Sequence, residues 1–274
     1  MTKRIDAKFE QLKSENRAAL VSYVMAYDPD LETSANILKN LPKSGADIIE
    51  LGMPFSDPMA DGPTIQEAAN RALAAGASTK KTIEMVRDFR KDDDTTPIIL
   101  MGYYNPVYHY GIEAFVKDAV VAGVDGVIIV DLTPEEESEF TDFAIPAGLS
   151  LIKLTAPTTH KERAKVVLNK SSGFVYYISV AGITGGKSAD ISDISEHLDV
   201  LRECTDLPIA VGFGIKTSKQ AAEIANVADA VVVGSAFVKF IKEHEGDSEA
   251  IVSNITNLVS SISDGIKSVA KKAA

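Results

Sequence analysis

The chain has 274 residues, 45% of them apolar, with 28 lysines and arginines against 39 aspartates and glutamates, for a formal net charge of -11. That acidity argues against a nucleic-acid backbone or an anionic membrane surface as partner, so any phosphate bound here must be held by local groups. An α/β barrel commonly reaches this length as one domain, and a single domain over residues 1–274 is expected. Cys204 is the only cysteine, which rules out an intrachain disulfide and fits a reducing compartment. The opening Met1-Thr2-Lys3-Arg4-Ile5-Asp6 carries no apolar signal segment, and no apolar run approaches the roughly 20 residues of a membrane span. A cytoplasmic location is the expectation. His109, His160, His197 and His244 are scattered, so no metal site is expected.

In chain order, Ile5, Phe9 and Leu12 fall at helical spacing and predict an extra N-terminal helix packed on the main fold. Short β-branched or apolar runs then recur at 19–25, 47–51, 97–103, 126–130, 150–154, 174–179, 208–212 and 229–233, with helical patterns between them. Several, such as Val127-Ile128-Ile129-Val130, are apolar throughout, as in a sheet covered on both faces. Phe115, Val116, Ala119 and Val120 illustrate the intervening helical period. The last stripe, Ile251, Ile255, Leu258, Ile262, Ile266 and Val269, could be a coiled-coil seam, but a final barrel helix explains it more simply. Eight alternating units predict an α/β fold, a single (β/α)8 TIM barrel, with a doubly wound open sheet as the competitor.

The placement of glycines favours the barrel. Active sites of such barrels lie at the loops after the strands, with phosphate commonly held after the seventh and eighth. Here Gly212-Phe213-Gly214-Ile215-Lys216-Thr217 follows the seventh strand and Gly234-Ser235-Ala236 the eighth. A third cluster, Ala181-Gly182-Ile183-Thr184-Gly185-Gly186, follows the sixth and could close as a lid. Any one cluster could be a turn; three in succession point to phosphate.

Two carboxylates form the second constellation. Glu50 interrupts the apolar exit Ile48-Ile49-Glu50-Leu51, where burial would raise its pKa and suit it to acid and base work. Asp61 lies eleven positions on, beyond a Gly/Pro/Asp-rich loop that could fold it back towards Glu50. The competing role for Asp61 is a turn and a cap for the helix starting near Thr64, and for Asp57 that plainer role is preferred. Asp131 reads first as a hydrogen-bond anchor. Of Tyr176 and Tyr177, alternation sends one inward and one towards the helices. Lys153 could form a Schiff base from a barrel strand, although an outward, snorkelling side chain is favoured.

With these residues in hand, the chain resembles the alpha subunit of tryptophan synthase along essentially its whole length. The most specific stretch runs from Glu50-Leu51-Gly52-Met53-Pro54-Phe55-Ser56-Asp57 through Asp61-Gly62-Pro63-Thr64-Ile65-Gln66, supported by Tyr103-Tyr104-Asn105-Pro106 and Val211-Gly212-Phe213-Gly214-Ile215. The resemblance implies a retro-aldol lyase that cleaves indole-3-glycerol phosphate to indole and glyceraldehyde 3-phosphate. It implies Glu50 as general acid/base and Asp61 as the carboxylate that bonds the indole N–H. Tyr176 would orient substrate or Glu50, while Tyr23, Met101, Ile128 and Leu154 would surround the ring. Gly185, Gly214, Gly234 and Ser235 fall at phosphate-binding positions, and Thr184 in the lid is a candidate for communication between subunits.

The same resemblance implies a beta subunit as partner in a two-alpha, two-beta heterotetramer, with pyridoxal phosphate in that partner and no cofactor in this chain. The exposed part of the loop from Met53 to Asp61 and the region from Asn105 to His109 would meet it. Three positions depart from the family pattern: Tyr27 where glycine is expected, Thr133 for a proline, and Val180 for an arginine found in some relatives. Tyr27 could crowd the mouth or alter the partner surface.

Overall fold

The computed structural model describes residues 3–179, 191–212 and 214–269. Among the described residues the apolar runs form nine parallel strands: β1 (Ala19–Met25), β2 (Ile48–Gly52), β3 (Ile98–Gly102), β4 (Gly126–Ile129), β5 (Ser150–Leu151), β6 (Lys153–Thr155), β7 (Val175–Ile178), β8 (Ile209–Gly212) and β9 (Ala230–Val233). Their order is β5-β4-β3-β2-β1-β9-β8-β7-β6. The two ends of that order, β5 and β6, are consecutive in the chain and parted only by Ile152, whose N–H donates to the Val127 carbonyl at 2.9 Å. One strand therefore pairs with β4 in its first half and β7 in its second, and the sheet is a nearly closed TIM barrel.

The described helices are α1 (Lys3–Ser14), α2 (Leu31–Asn40), α3 (Pro63–Ala74), α4 (Thr79–Phe89), α5 (Tyr104–Tyr110), α6 (Ile112–Ala122), α7 (Ser138–Ala144), α8 (Lys161–Leu168), α9 (Ile191–Arg202), α10 (Ser218–Ala225), α11 (Ser235–Glu243) and α12 (Ser248–Lys267). The expected N-terminal helix is α1, and it plugs the barrel floor. Ile5, Phe9 and Leu12 join Ile48, Ile99, Ile152 and Phe174 in the cluster inside the barrel, with the Phe9 and Phe174 rings 5.9 Å apart. Below that floor, buried Asp125 accepts from Arg90 at 2.8 Å, from Arg4 at 3.0 Å and from the Ile98 N–H at 2.9 Å. The long C-terminal stripe is a barrel helix, α12, packed on α10 and α2. Its buried seam runs through Ile251, Ile255, Val259, Ile262 and Ile266, so Val259 takes the central place expected for the half-buried Leu258.

Alternation along the strands sets what faces the barrel axis. Near the floor Ile48, Ile99, Ile152 and Phe174 fill the interior beside Ala19, Ala210 and Ala230, whereas at the C-terminal ends of β2, β8 and β9 the inward positions are Gly52, Gly212 and Gly234. Those glycines leave room for the rings of Tyr23 and Tyr176, which with Glu50 line the cavity above.

Candidate active site

Glu50 stands midway along β2 and is 1% exposed. It faces the cavity because Ile48, two residues earlier, belongs to the cluster inside the barrel. Its Oε1 is buried without a hydrogen-bond partner among the described residues. Burial, with a smaller push from the negative charge of Asp61, raises its pKa to about 8. At neutral pH this carboxyl therefore carries a proton.

The loop after β2 returns Asp61 to the same cavity. The turn is set by the Asp61 N–H donating to the Pro58 carbonyl at 3.1 Å and by the Ala60 N–H donating to the Tyr103 hydroxyl at 3.0 Å. Tyr103 in turn donates to the Asp61 side chain; this bond opposes the upward pKa shift that burial imposes on Asp61. The capping alternative fails on geometry. Helix α3 takes Gly62 as its N-cap with no side-chain cap bond, and only the Asp61 carbonyl is used, accepting from Gln66 Nε2 at 2.8 Å.

The cavity measures about 1000 Å³. Its walls carry Glu50, Asp61, Tyr23, Met101, Leu154 and Tyr176, and its far end carries Gly214, Gly234 and Ser235. Of the residues expected around a ring, only Ile128 is absent from the walls; it lies fully buried beside Met101 in register. Thr184, Gly185 and Val180 lie outside the described residues. Gly214 has φ +68°, the left-handed region that glycine enters without strain, and Gly234 caps α11, whose opening turn offers N–H groups unused within the helix.

Tyr176 is the inward tyrosine, and Tyr177 faces outward onto His197, ring centroids 5.9 Å apart. Lys153 also faces outward, but it does not snorkel to solvent. It is 6% exposed and ion-paired with Glu137 beside the start of α7. Asp131 is an anchor for α5, accepting from the Tyr104 N–H at 2.7 Å, and Asp57 accepts from the Ser56 hydroxyl at 2.6 Å. Tyr27 lies at φ +67°, which explains why glycine suits the position; its ring is buried beneath Lys81 Nζ, 5.8 Å from the centroid, and is not part of the cavity wall. In the sequence Tyr103 stands only as part of the Tyr103-Tyr104-Asn105-Pro106 match, with no role of its own, although its place at the exit of β3 is the kind of position where a polar tip reaches a barrel mouth.

The sequence matches the model of the family described as tryptophan synthase alpha chain over residues 9–267. The chain belongs to that family. Its barrel superimposes on the tryptophan synthase alpha subunit of Legionella pneumophila with a TM-score of 0.90 and 40% identity, covering 97% of this chain and 99% of the other. A tryptophan synthase structure from M. tuberculosis in its aminoacrylate-bound form gives 0.85 and 33%, covering 96% and 99%. A structure from Aquifex aeolicus gives 0.87 and 38%, covering 96% and 98%. Membership of the tryptophan synthase alpha family makes the chain a carbon–carbon lyase that performs the alpha reaction of tryptophan biosynthesis.

Proposed function

We propose that Glu50 and Asp61 divide the work of the alpha reaction, the cleavage of indole-3-glycerol phosphate to indole and glyceraldehyde 3-phosphate. Indole C3 takes a proton, which leaves positive charge on the ring nitrogen. The bond from C3 to the side chain then breaks as the adjacent hydroxyl loses its proton and becomes the aldehyde, and the bonding electrons restore the indole ring. Glu50, protonated at neutral pH, supplies the proton for C3 and can accept the one from the hydroxyl. Asp61, held by Tyr103, accepts the indole N–H and gains in strength as charge develops there. The observation that carries this reading is a buried glutamate with an unpartnered oxygen sharing one cavity with a second carboxylate.

Tyr23, Met101 and Leu154 would flank the ring, with Ile128 supporting Met101 from the neighbouring strand and Tyr176 orienting substrate or Glu50. Gly214, Gly234 and Ser235 would hold the phosphate through main-chain N–H groups, with Gly185 and Thr184 contributing from the lid. The Schiff-base alternative is disfavoured by the outward, ion-paired Lys153. Pyridoxal phosphate would belong to the beta subunit, with no cofactor held by this chain. The partner would dock where Met59 is 76% and Tyr108 63% exposed, with Asn105 and His109 nearby, in a two-alpha, two-beta assembly. No helix among the described residues is long and apolar enough to cross a membrane; one domain over 1–274 and a cytoplasmic location complete the proposal. Release of indole and glyceraldehyde 3-phosphate in equal amounts, measured with and without a beta subunit, tests it.

A further inference from the structure

Tyr23 and Glu50 are register partners on β1 and β2, and both line the cavity. The Tyr23 ring is fixed between two glycines. A Cβ on Gly52 would lie 2.4 Å from the Tyr23 hydroxyl, and a Cβ on Gly234 would lie 3.0 Å from the Tyr23 Cβ. The phenol therefore leans across the top of β2, above Glu50. In that place, among the described residues, its hydroxyl has only the Met25 thioether, at 3.9 Å, as acceptor. A thioether is a weak acceptor, so a buried donor with a poor partner and a buried carboxyl oxygen with none share one cavity from paired positions on β1 and β2.

We propose that the Tyr23 hydroxyl donates a hydrogen bond to Glu50 whenever that carboxyl ionises, making Tyr23 a positioning residue for the acid/base group. While Glu50 holds its proton, the hydroxyl rests on the Met25 sulfur. Once the proton has gone to the substrate, the resulting anion is the strongest acceptor beside it, and the bond holds the carboxylate in the geometry needed for proton return. The groups facing the pair are Asp61 and Tyr103 from the loops after β2 and β3, Asp28 from the loop after β1, and Tyr176 from β7. Asp28 is occupied by Arg71, at 2.7 and 2.9 Å, and Asp61 by Tyr103. Tyr176 is the rival donor, but its hydroxyl lies over β8, 2.3 Å from where a Cβ on Gly212 would stand.

The inference rests on the acid/base role of Glu50, and its test separates the two. The pH dependence of indole release is compared for the wild type, Tyr23→Phe and Tyr176→Phe. Tyr23→Phe is expected to lower kcat about 10-fold with KM within about twofold, and to move the inflexion due to Glu50 about one unit to higher pH. Tyr176→Phe is expected to leave that inflexion in place. An unmoved inflexion in Tyr23→Phe overturns the proposal, as does a raised KM with unchanged kcat, which would put the hydroxyl on substrate instead. If Tyr23→Phe proves too slow to assay, 13C NMR titration of the Glu50 carboxyl in the free protein gives the same comparison without turnover: an upward shift supports the bond, and none overturns it. Activity retained by Glu50→Gln would refute the catalytic reading alone, since the NMR comparison does not depend on it.

Discussion

The Tyr176 hydroxyl fills the space in which a side chain at Gly212 would begin, 2.3 Å from the place of a Cβ there, with its ring carbons at 2.7 and 2.8 Å. No small adjustment relieves such an overlap, because the ring itself is in the way. Gly212→Ala is therefore expected to push Tyr176 into the cavity, lowering kcat/KM for indole release by about 10- to 100-fold while the circular dichroism spectrum stays barrel-like. Unchanged kinetics would mean that Tyr176 has another place to go.

Glu50 makes stability depend on pH in a predictable direction. Its folded-state pKa, about 8, lies above the ordinary 4.5, so the folded protein binds a proton that the unfolded chain has released. Stability relative to Glu50→Gln should be greatest below pH about 4.5, fall as pH rises through the window up to about 8, and level off above it. Denaturant unfolding at several pH values should show Glu50→Gln gaining on the wild type across that window, by a few kcal/mol as an order of magnitude.

The bond from Tyr103 to Asp61 holds down a pKa that burial otherwise raises. Tyr103→Phe should let it climb further, so activity should fail at a higher pH on the acid side than in the wild type. Asp61→Asn removes the charge and should lower kcat about 100-fold or more with a smaller change in KM, because the interaction strengthens towards the transition state. Steady-state rates from acid to neutral pH check both expectations.

At the opposite end of the barrel, Asp125 joins α1, through Arg4, to Arg90 and to the start of β3. Asp125→Ala leaves the part-buried Arg90, still bonded to the carbonyls of Gly123, Asp93 and Thr96, without its counter-charge and the Ile98 N–H without its acceptor. We expect a loss of roughly 3–5 kcal/mol in denaturant unfolding, with kcat of the folded fraction unchanged.

The sequence shows the barrel because its strands are apolar on both faces, and it shows Glu50 because a lone carboxylate breaks such a run at its exit. Gly212 and Gly234 were visible as strand-exit glycines, but not that each makes room for a tyrosine. That depends on neighbouring strands, β7 beside β8 and β1 beside β9, whose register no local pattern encodes. The role of Tyr103 is hidden for a similar reason, since its partner Ala60 lies 43 residues away. The division of one strand at Ile152 reflects a change of neighbour, and the place of Val259 in the α12 seam follows from helical pitch against two helices packed at once. Lys153 was legible as outward by alternation with Leu154, whereas its burial required Glu137, sixteen residues earlier, to arrive beside it.

The most direct test of the central claim is indole release from indole-3-glycerol phosphate by purified Glu50→Gln beside the wild type, with both proteins shown to be folded and to bind substrate. A protonated Glu50 that delivers the proton to C3 predicts near-complete loss of turnover with binding retained. Turnover at the wild-type rate would contradict it.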